Sequence, residues 1–262
     1  MPTALTIAGS DSGGGAGIQA DLKTFAACGV YGTCAITAVT AQNTLGVMSW
    51  EPVSTELVVA QIEAVGEDLR PHAVKTGMLA TAAIVEAVAA TISGLDLPNL
   101  VVDPVMIAKG GDRLLREDAV AAIRVELLKL AEVVTPNVPE AEVLSGLSIR
   151  TLDDMRNAAR RIRTMGPRVV VVKGGHLPLG DVVVDVVCMG EAEFDLEGPR
   201  FATRHTHGTG CTFAAAIAAY LALGQPVGEA VRTARAYLEG AIRHAPELGA
   251  GHGPLNHFWR LY

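Results

Sequence analysis

The sequence predicts a three-layer α/β fold in which helices cover both faces of a mostly parallel central sheet. Short runs rich in valine, isoleucine and alanine alternate with alanine- and leucine-rich stretches of helical period along nearly the whole chain. Buried parallel strands form continuous apolar runs because helices shield both of their faces. The chain has 262 residues, half of them hydrophobic, which is enough for a large core within one α/β domain.

Strands and helices are predicted in regular alternation through the first two thirds of the chain. We expect buried strands at Ala4–Ala8, Ala35–Ala41, Ala73–Lys75, Leu100–Asp103, Val133–Thr135 and Val169–Lys173. The intervening helices are predicted at Gly17–Ala27, Thr55–Leu69, Ala82–Thr91, Glu117–Leu130 and Leu152–Met165. Thr151 and Asp154 give the last of these helices a start like a capping box.

The pattern changes in the last third of the chain. Asp181–Met189 and Glu191–Leu196, separated by one glycine, predict an antiparallel hairpin near the end of the sheet. Two long helices are expected at Thr209–Leu223 and Val227–Ala245. There is no Pro/Ser-rich linker and no repeat of fixed period, so a single domain over residues 1–262 is the simplest account.

Charge and composition exclude several classes of protein. The net charge of −7 and the isoelectric point near 5.5 give no electrostatic basis for binding nucleic acid. The N-terminus lacks a basic segment before its first apolar run, and no apolar window is long enough to span a bilayer. The four cysteines form no C-x-x-C pair, which is typical of a reduced protein. We therefore expect a cytoplasmic protein that binds neither nucleic acid nor membranes.

Polar and glycine-rich segments follow six of the predicted strands. Ligands of open α/β sheets bind beyond the carboxyl ends of the strands, so these segments are expected to line one crevice. They are Gly9–Gly15, Gln42–Thr44, Lys75–Met78, Asp103–Pro104, Thr135–Asn137 and Lys173–His176. Their convergence indicates a ligand site more strongly than any one segment does.

Several familiar motifs do not fit the sequence. The run Gly13–Gly17 lacks the last glycine of a dinucleotide-binding fingerprint, because Ile18 stands in its place. No G-x-x-x-x-G-K-[ST] and no G-x-S-x-G sequence occurs. A zinc site made of His205, His207 and Cys211 would lack both the usual ligand spacing and an obvious fourth ligand.

The segment His207–Cys211 is suited to binding an anion. Gly208 and Gly210 allow a tight turn, and the helix that begins there directs free N–H groups toward it. Backbone donors at a positive helix end stabilise a phosphoryl group during its transfer. A thiol in this field is expected to have a lowered pKa, which would make Cys211 available as a base. The alternative is a glycine turn followed by a buried structural cysteine.

Side chains at neighbouring strand ends favour phosphoryl transfer over that alternative. Asn137 and Glu140 offer oxygen atoms to water and Mg²⁺, and Asp103 lies at another strand end. Lys173 supplies a positive charge for a phosphate group. These residues predict an ATP-dependent kinase, with Asp103 and Glu140 as candidate Mg²⁺ ligands.

Seven segments of the chain resemble, in the same order, the ribokinase-like family and within it the hydroxymethylpyrimidine/phosphomethylpyrimidine kinases. They are Ala4–Phe25, Ala41–Thr44, Thr76–Leu79, Asp103–Met106, Thr135–Ala141, Val172–His176 and His207–Cys211. The resemblance covers essentially the whole chain. It implies a sheet flanked by helices, ATP and Mg²⁺ as cofactors, and phosphorylation of a pyrimidine alcohol and then of its monophosphate for thiamine biosynthesis.

The resemblance also implies roles for individual residues. Cys211 would be the base, and Gly208 to Gly210 would form the anion hole. The residues expected at ATP or Mg²⁺ are Lys173, Thr209, Asn137 and Glu140. Those expected at the pyrimidine are Gln42 and Asp21 by hydrogen bonding, Gly9 by its backbone, and Met78 and Val105 by packing. Antiparallel strands and exposed helices make a homodimer reasonable.

Three alternative functions stay open at this point. In the similar enzymes that phosphorylate pyridoxal, the equivalent of Gln42 is typically absent. Those with activity on both substrates typically have a second cysteine at the position of Ala108 in this chain. Both differences favour the pyrimidine, although activity on pyridoxal or pyridoxine remains an alternative. A binding protein without activity and a thiol-dependent hydrolase using Cys211 are the others. We also expect Ala108–Asp112, which contains two glycines, to form a mobile lid.

Overall fold

The protein is described here by a computed structural model that covers residues 1–106 and 117–261. The strands in these ranges are β1 (Thr3–Ala8), β2 (Tyr31–Ile36), β3 (Ala38–Asn43), β4 (Gly46–Pro52), β5 (Ala73–Thr76), β6 (Leu100–Val102), β7 (Val133–Val134), β8 (Val169–Val172), β9 (Val182–Met189) and β10 (Ala192–Pro199). Eight of these described strands form one sheet in the order β10-β9-β8-β7-β6-β5-β1-β2. Neighbours from β8 to β2 are parallel, whereas β9 and β10 add an antiparallel edge.

Helices cover both faces of this sheet. They are α1 (Gly17–Ala27), α2 (Thr55–Asp68), α3 (Ala82–Gly94), α4 (Glu117–Ala122), α5 (Val138–Ser145), α6 (Leu152–Arg163), α7 (Thr209–Ala222) and α8 (Val227–Arg243). One core lies between the sheet and α2 to α6, and a second lies against α1, α7 and α8. Side chains of β8 alternate between them, with Val170 and Val172 in the first core and Val169 and Val171 in the second. The predicted three-layer fold is confirmed.

Several predicted elements are confirmed in detail. Helix α1 has the predicted bounds, and β9 with β10 forms the predicted hairpin at the edge of the sheet. The capping box of α6 is present, since the Thr151 hydroxyl accepts the Asp154 N–H at 3.1 Å and the Asp154 carboxylate accepts the Thr151 N–H at 2.9 Å. These elements depend on local periodicity and on side chains a few residues apart, which sequence patterns describe well.

The prediction of one strand at Ala35–Ala41 is wrong. The chain leaves the sheet at Thr37, whose N–H donates to the Ala8 carbonyl and whose hydroxyl donates to the Met78 carbonyl. It then enters β3, which pairs only with β4 in a separate two-stranded sheet. The apolar run gives no sign of where the chain leaves the sheet, because Thr37 contacts Ala8 and Met78, which are distant in the sequence.

Two further predictions need correction or lie outside the described ranges. The helix predicted at Glu117–Leu130 begins as α4, continues as a π-helical turn over Ile123–Leu127 and ends as a 3₁₀ turn over Leu128–Leu130. The predicted lid, Ala108–Asp112, falls outside the residues that the structure describes. In the described ranges, no helix combines the length and the hydropathy that crossing a membrane requires.

The first turn of α7 is anchored by a segment from the end of the chain. The Thr212 hydroxyl lies 3.1 Å from Nε2 of His257, and the Tyr237 hydroxyl donates to the His257 carbonyl at 2.6 Å. His257 is buried, and desolvation together with the charge of Lys23 lowers its pKa to about 4. The folded protein therefore holds a neutral imidazole against the helix that follows the glycine turn.

We expect this imidazole to make folding stability depend on pH. The unfolded chain binds a proton at His257 near pH 6.5, but the folded chain does so only near pH 4, so the free energy of unfolding falls as pH drops through this window. The full effect is roughly 3 kcal/mol. Urea denaturation of the wild type and His257→Gln at pH 7.5, 6 and 5 isolates it. The stability difference should shift by at least about 1 kcal/mol between the extremes; a constant difference contradicts the assignment.

Candidate active site

Asp11 shapes the glycine-rich loop that follows β1. Its carboxylate accepts the N–H groups of Gly13, Gly15 and Ala16 at 2.8, 3.0 and 2.8 Å. Oδ2 also lies 2.8 Å from Nε2 of His207. Burial acts to raise the pKa of Asp11, but the hydrogen bond and charge of His207 and the backbone donors outweigh it, so the pKa lies below its usual value. The carboxylate thus stays charged and holds the loop against the turn before α7.

The predicted glycine turn at the start of α7 is present. Gly208 adopts a φ of +84°, in the left-handed region, and a Cβ there would collide with the Gly15 carbonyl oxygen. A Cβ on Gly210 would lie only 3.2 Å from Nζ of Lys173 and 3.4 Å from an Asp103 oxygen. None of the described side chains caps α7, so N–H groups of its first turn remain for an anion.

Lys173 and Asp103 form an ion pair next to Gly210 of this turn. Nζ of Lys173 lies 3.0 Å from Oδ1 of Asp103, whose side chain is almost fully buried. Desolvation acts to lower the pKa of Lys173, but Asp103 and Glu140 outweigh it, so the pKa lies above its usual value. The lysine is held as a cation next to the uncapped start of α7, and its contact with a phosphate group stays a prediction.

Asn137 and Glu140 form a helix cap that the sequence analysis did not predict, and their contact with ATP or Mg²⁺ stays a prediction. The Asn137 side chain accepts the Glu140 N–H at 2.9 Å, and the Glu140 carboxylate accepts the Asn137 N–H at 2.8 Å, which is a reciprocal capping box at the start of α5. Glu140 is nonetheless buried among charges. Desolvation and the charge of Asp103 raise its pKa to about 7, against Lys173 and the N–H groups of Asn137 and Met106. Its carboxyl group therefore titrates near neutral pH.

A second buried ion pair, which the sequence reasoning missed, joins Lys75 to Asp21. Nζ of Lys75 lies 2.8 Å from Oδ2 of Asp21, both side chains are fully buried, and the Thr6 hydroxyl donates to the same oxygen at 2.6 Å. Desolvation raises the pKa of Asp21, although Lys75 and Thr6 oppose it. Asp21 Oδ1 has no partner among the described residues. Contact of Asp21 with a pyrimidine stays a prediction. The signal in the sequence for the ion pair is a lysine, Lys75, inside an otherwise apolar predicted strand.

Cys211 lies between these charges, but the prediction of a lowered thiol pKa is wrong. Desolvation raises the pKa of Cys211 to about 11; Lys75 and the Gly17 N–H oppose this, while Asp21 and Asp103 add to it. Desolvation of the thiol thus outweighs the field of the helix end. Most molecules therefore carry a neutral thiol at pH 7.

Of the residues predicted at the pyrimidine, Gly9 and Met78 lie next to each other just after β1. A Cβ on Gly9 would lie 3.2 Å from Sδ of Met78, and Val105, partly buried, packs against the first core beside Asp103. Gln42 belongs to β3 and not to a strand end of the main sheet, which corrects that part of the prediction. Its Nε2 lies 3.4 Å from Nε2 of His207.

Comparison with known proteins identifies the family. The family described as "Phosphomethylpyrimidine kinase" matches residues 11–256. The chain is 51% identical over 255 residues to the hydroxymethylpyrimidine/phosphomethylpyrimidine kinase of Bacillus subtilis, covering 97% of this chain and 94% of that one. It is also 51% identical over 253 residues to the thiamine biosynthesis bifunctional protein ThiED of Geobacter sulfurreducens, covering 97% of this chain and 51% of that protein.

A solved structure from another branch is also similar. The ADP complex of Bacillus subtilis pyridoxal kinase superposes with a TM-score of 0.93 at 42% sequence identity, covering all of both chains. Its sequence identity is lower than that of the two pyrimidine-pathway relatives, and the family match extends over nearly the whole chain. The chain therefore belongs to the phosphomethylpyrimidine kinase family.

Proposed function

We propose that the chain is an ATP-dependent kinase that phosphorylates hydroxymethylpyrimidine and then its monophosphate, in thiamine biosynthesis. The observation that carries the proposal is the uncapped start of α7 directly above the Lys173–Asp103 pair. That arrangement binds and neutralises a phosphoryl group. The names of the Bacillus and Geobacter relatives support the acceptor and the pathway.

In the proposed reaction, the hydroxyl oxygen of the alcohol, or in the second step a phosphate oxygen of the monophosphate, attacks the γ-phosphorus of ATP, and the bond to the oxygen bridging the β- and γ-phosphates breaks. The N–H groups of the Gly208–Gly210 turn and the Thr209 hydroxyl would hold the transferred group, and Lys173 would neutralise its charge. ADP leaves with the bridging oxygen, while the hydroxyl proton passes to water or to the small fraction of Cys211 that is present as thiolate. A loose transition state needs little help from a base, which suits a thiol that is mostly neutral.

Asp103 and Glu140 would hold Mg²⁺ in this proposal. Both are buried oxygen donors close to Lys173, and carboxylate oxygens are the ligands that Mg²⁺ prefers. In the described ranges, no three acidic, histidine or cysteine side chains form a metal-binding group, which agrees with an ion held mainly by phosphates and water. When bound, Mg²⁺ supplies charge neutralisation on the phosphates. Asn137 would support it by positioning Glu140.

The acceptor site is proposed around Gln42, Asp21 and Gly9, with packing from Met78 and Val105. An aminopyrimidine presents a donor beside a ring acceptor, and one carboxamide can satisfy both. Pyridoxal or pyridoxine is the second candidate acceptor, because the structure of a pyridoxal kinase is so similar.

One experiment separates these acceptors. The chain is incubated with ATP, Mg²⁺ and the pyrimidine alcohol, pyridoxal or pyridoxine in parallel, and mono- and diphosphates are followed by chromatography. We expect both pyrimidine phosphates, at a kcat/KM at least about tenfold above that for pyridoxal. Preference for pyridoxal overturns the acceptor, absence of ATP turnover would favour a binding protein, and ATP-independent ester hydrolysis would favour a hydrolase.

Cys211 is expected to be a base of modest importance. Cys211→Ser keeps a hydroxyl that can accept and relay the proton, and it should retain about a tenth of the wild-type kcat, whereas Cys211→Ala should lose about 100-fold. The measurement is steady-state kinetics on the pyrimidine alcohol, with Cys34→Ala as a control for loss of a thiol elsewhere. Equal kinetics for wild type, Cys211→Ser and Cys211→Ala would remove Cys211 from the chemistry.

Three further properties are proposed with this function. A homodimer is supported by the exposed apolar residues Val39, Leu45 and Met48 of the β3–β4 hairpin, and light scattering should give twice the 27.2 kDa chain mass. A cytoplasmic location is supported by four free cysteines. A single domain over residues 1–262 is supported by the Asp11–His207 contact, which spans 196 residues.

A further inference from the structure

His207 lies where three distant segments of the chain meet. Its Nε2 contacts Asp11 in the glycine-rich loop at 2.8 Å and lies 3.4 Å from Nε2 of Gln42 on β3. Its backbone N–H donates to the carbonyl of Gly253 near the end of the chain at 3.1 Å. The ring is mostly buried, and a Cβ on Gly15 would press against it. One residue therefore contacts the loop, the hairpin and the C-terminal segment, and it directly precedes Gly208.

The same three segments are also tied to one another. The Ser12 hydroxyl donates to the Gln42 carbonyl at 2.7 Å and accepts the Gln42 N–H at 2.7 Å. At the tip of the hairpin, the Thr44 carbonyl accepts the His252 N–H at 2.8 Å. The backbone on both sides of the Gln42 side chain is thereby held in place. Its amide oxygen accepts the Thr40 hydroxyl at 3.3 Å, and its nitrogen faces His207.

The chemistry of the imidazole decides what faces the amide of Gln42. The Asp11 carboxylate is charged, and an unprotonated Nε2 at 2.8 Å would set two lone pairs against each other. Nε2 therefore carries a hydrogen and donates it to Asp11, in either charge state of the ring. A nitrogen that donates its hydrogen in this way cannot accept one from the Gln42 amide. The N–H groups of Gln42 consequently remain available to a ligand.

We propose that His207 is a positioning residue that couples recognition of the acceptor by Gln42 to the phosphate-binding turn at Gly208. Its ring donates to Asp11 and so leaves the N–H groups of Gln42 available to the acceptor, and its backbone fixes the residue from which the turn begins. The proposal rests on the proposed function, because it treats Gln42 as a contact of the pyrimidine. It assigns His207 no contact with the substrate.

Four variants test the coupling. His207→Phe keeps a ring against Gly15 but removes the donor to Asp11, and His207→Gln restores an N–H at a similar reach. Gln42→Ala and the double variant Gln42→Ala/His207→Phe complete a double-mutant cycle. His72→Phe is the matched control, because this exposed histidine lies at the amino end of β5, whereas the candidate site lies at the carboxyl ends of the strands.

The first measurement is calorimetric binding of the pyrimidine alcohol without ATP, which requires no turnover. We expect His207→Phe to weaken binding about 30-fold and His207→Gln less than about fivefold, with no effect of His72→Phe. In the Gln42→Ala background, His207→Phe should change the affinity less than about threefold. The second measurement is the ratio of kcat/KM for the pyrimidine alcohol to kcat/KM for pyridoxal. His207→Phe should lower this ratio only in the protein that retains Gln42.

Each outcome decides between coupling and a purely structural role. Three results would overturn the proposal. They are an equal loss of affinity on His207→Phe with and without Gln42, an equal loss of kcat/KM for both acceptors, and no recovery of affinity in His207→Gln. Circular dichroism checks the fold of each variant, and if His207→Phe does not fold, His207→Gln and Asp11→Asn in the two Gln42 backgrounds supply the cycle. If the wild type binds the pyrimidine alcohol but does not phosphorylate it, the proposed function fails while the binding cycle still decides the role of His207.

Discussion

Replacing Lys173 with methionine is expected to reduce kcat by about 10²–10³-fold, which corresponds to roughly 3–4 kcal/mol of transition-state stabilisation. The lysine is the cation beneath the uncapped start of α7, where Nζ lies 3.0 Å from Asp103. Charge neutralisation is the main contribution of a protein to a loose phosphoryl transfer, so its loss should affect kcat more than the KM for ATP. Steady-state kinetics with saturating pyrimidine alcohol measure this effect.

Two controls separate this effect from loss of structure. Lys129→Met removes an exposed lysine that pairs only with Glu126 on the surface, and it should leave kcat unchanged. Lys173→Arg keeps the charge in a different shape and should recover part of the loss. If Lys173→Met stays folded and retains kcat within fivefold of the wild type, Lys173 is not the phosphate-neutralising residue.

The second large effect is expected in folding. Lys75→Met leaves the Asp21 carboxylate in a fully buried site without its cation and should lower the free energy of unfolding by about 3–5 kcal/mol. Adding Asp21→Asn removes the stranded charge while keeping an acceptor for the Thr6 hydroxyl. The double variant should therefore regain more than half of the lost stability. Urea denaturation of the three proteins at pH 7 measures the differences.

Lys129→Met serves again as the surface control, with an expected change below about 0.5 kcal/mol. A loss for Lys75→Met as small as that of the control would mean that water reaches Asp21 in the folded protein. A double variant less stable than Lys75→Met would mean that the carboxylate contributes through contacts other than the ion pair.

The polar residues of the crevice could be predicted because their positions follow from topology. In a parallel sheet, the residues after each strand meet at one edge, so Asp103 and Lys173 were placed together correctly although they lie 70 residues apart. Glycine positions were equally informative, since the Gly208 turn requires a left-handed φ and a close approach to Gly15. These conclusions need only residue types and their order.

Other features depend on surroundings that the sequence does not describe. The pKa of Cys211 is raised to about 11 because desolvation outweighs the helix end, and the balance of those two effects depends on packing. The capping box of Asn137 and Glu140 was readable as Asn-x-x-Glu, but the same oxygen atoms also suited a metal, and only the fold shows that they cap α5. Gln42 lies outside the main sheet, because the chain turns away at Thr37, which contacts Ala8 and Met78.

The sequence by itself determined the layered α/β architecture, the edge of the sheet that carries the site, and the resemblance that the family match bears out. Periodicity and glycine placement are properties of short segments, and the alternation of strands with helices follows from the order of those segments along the chain. Only the tertiary structure decided which charges are paired, as with Asp21 and Lys75, and which imidazole faces which carboxylate, as with His207 and Asp11. Electrostatic free energies depend on distance and burial, and both are set by residues that are far apart in the chain.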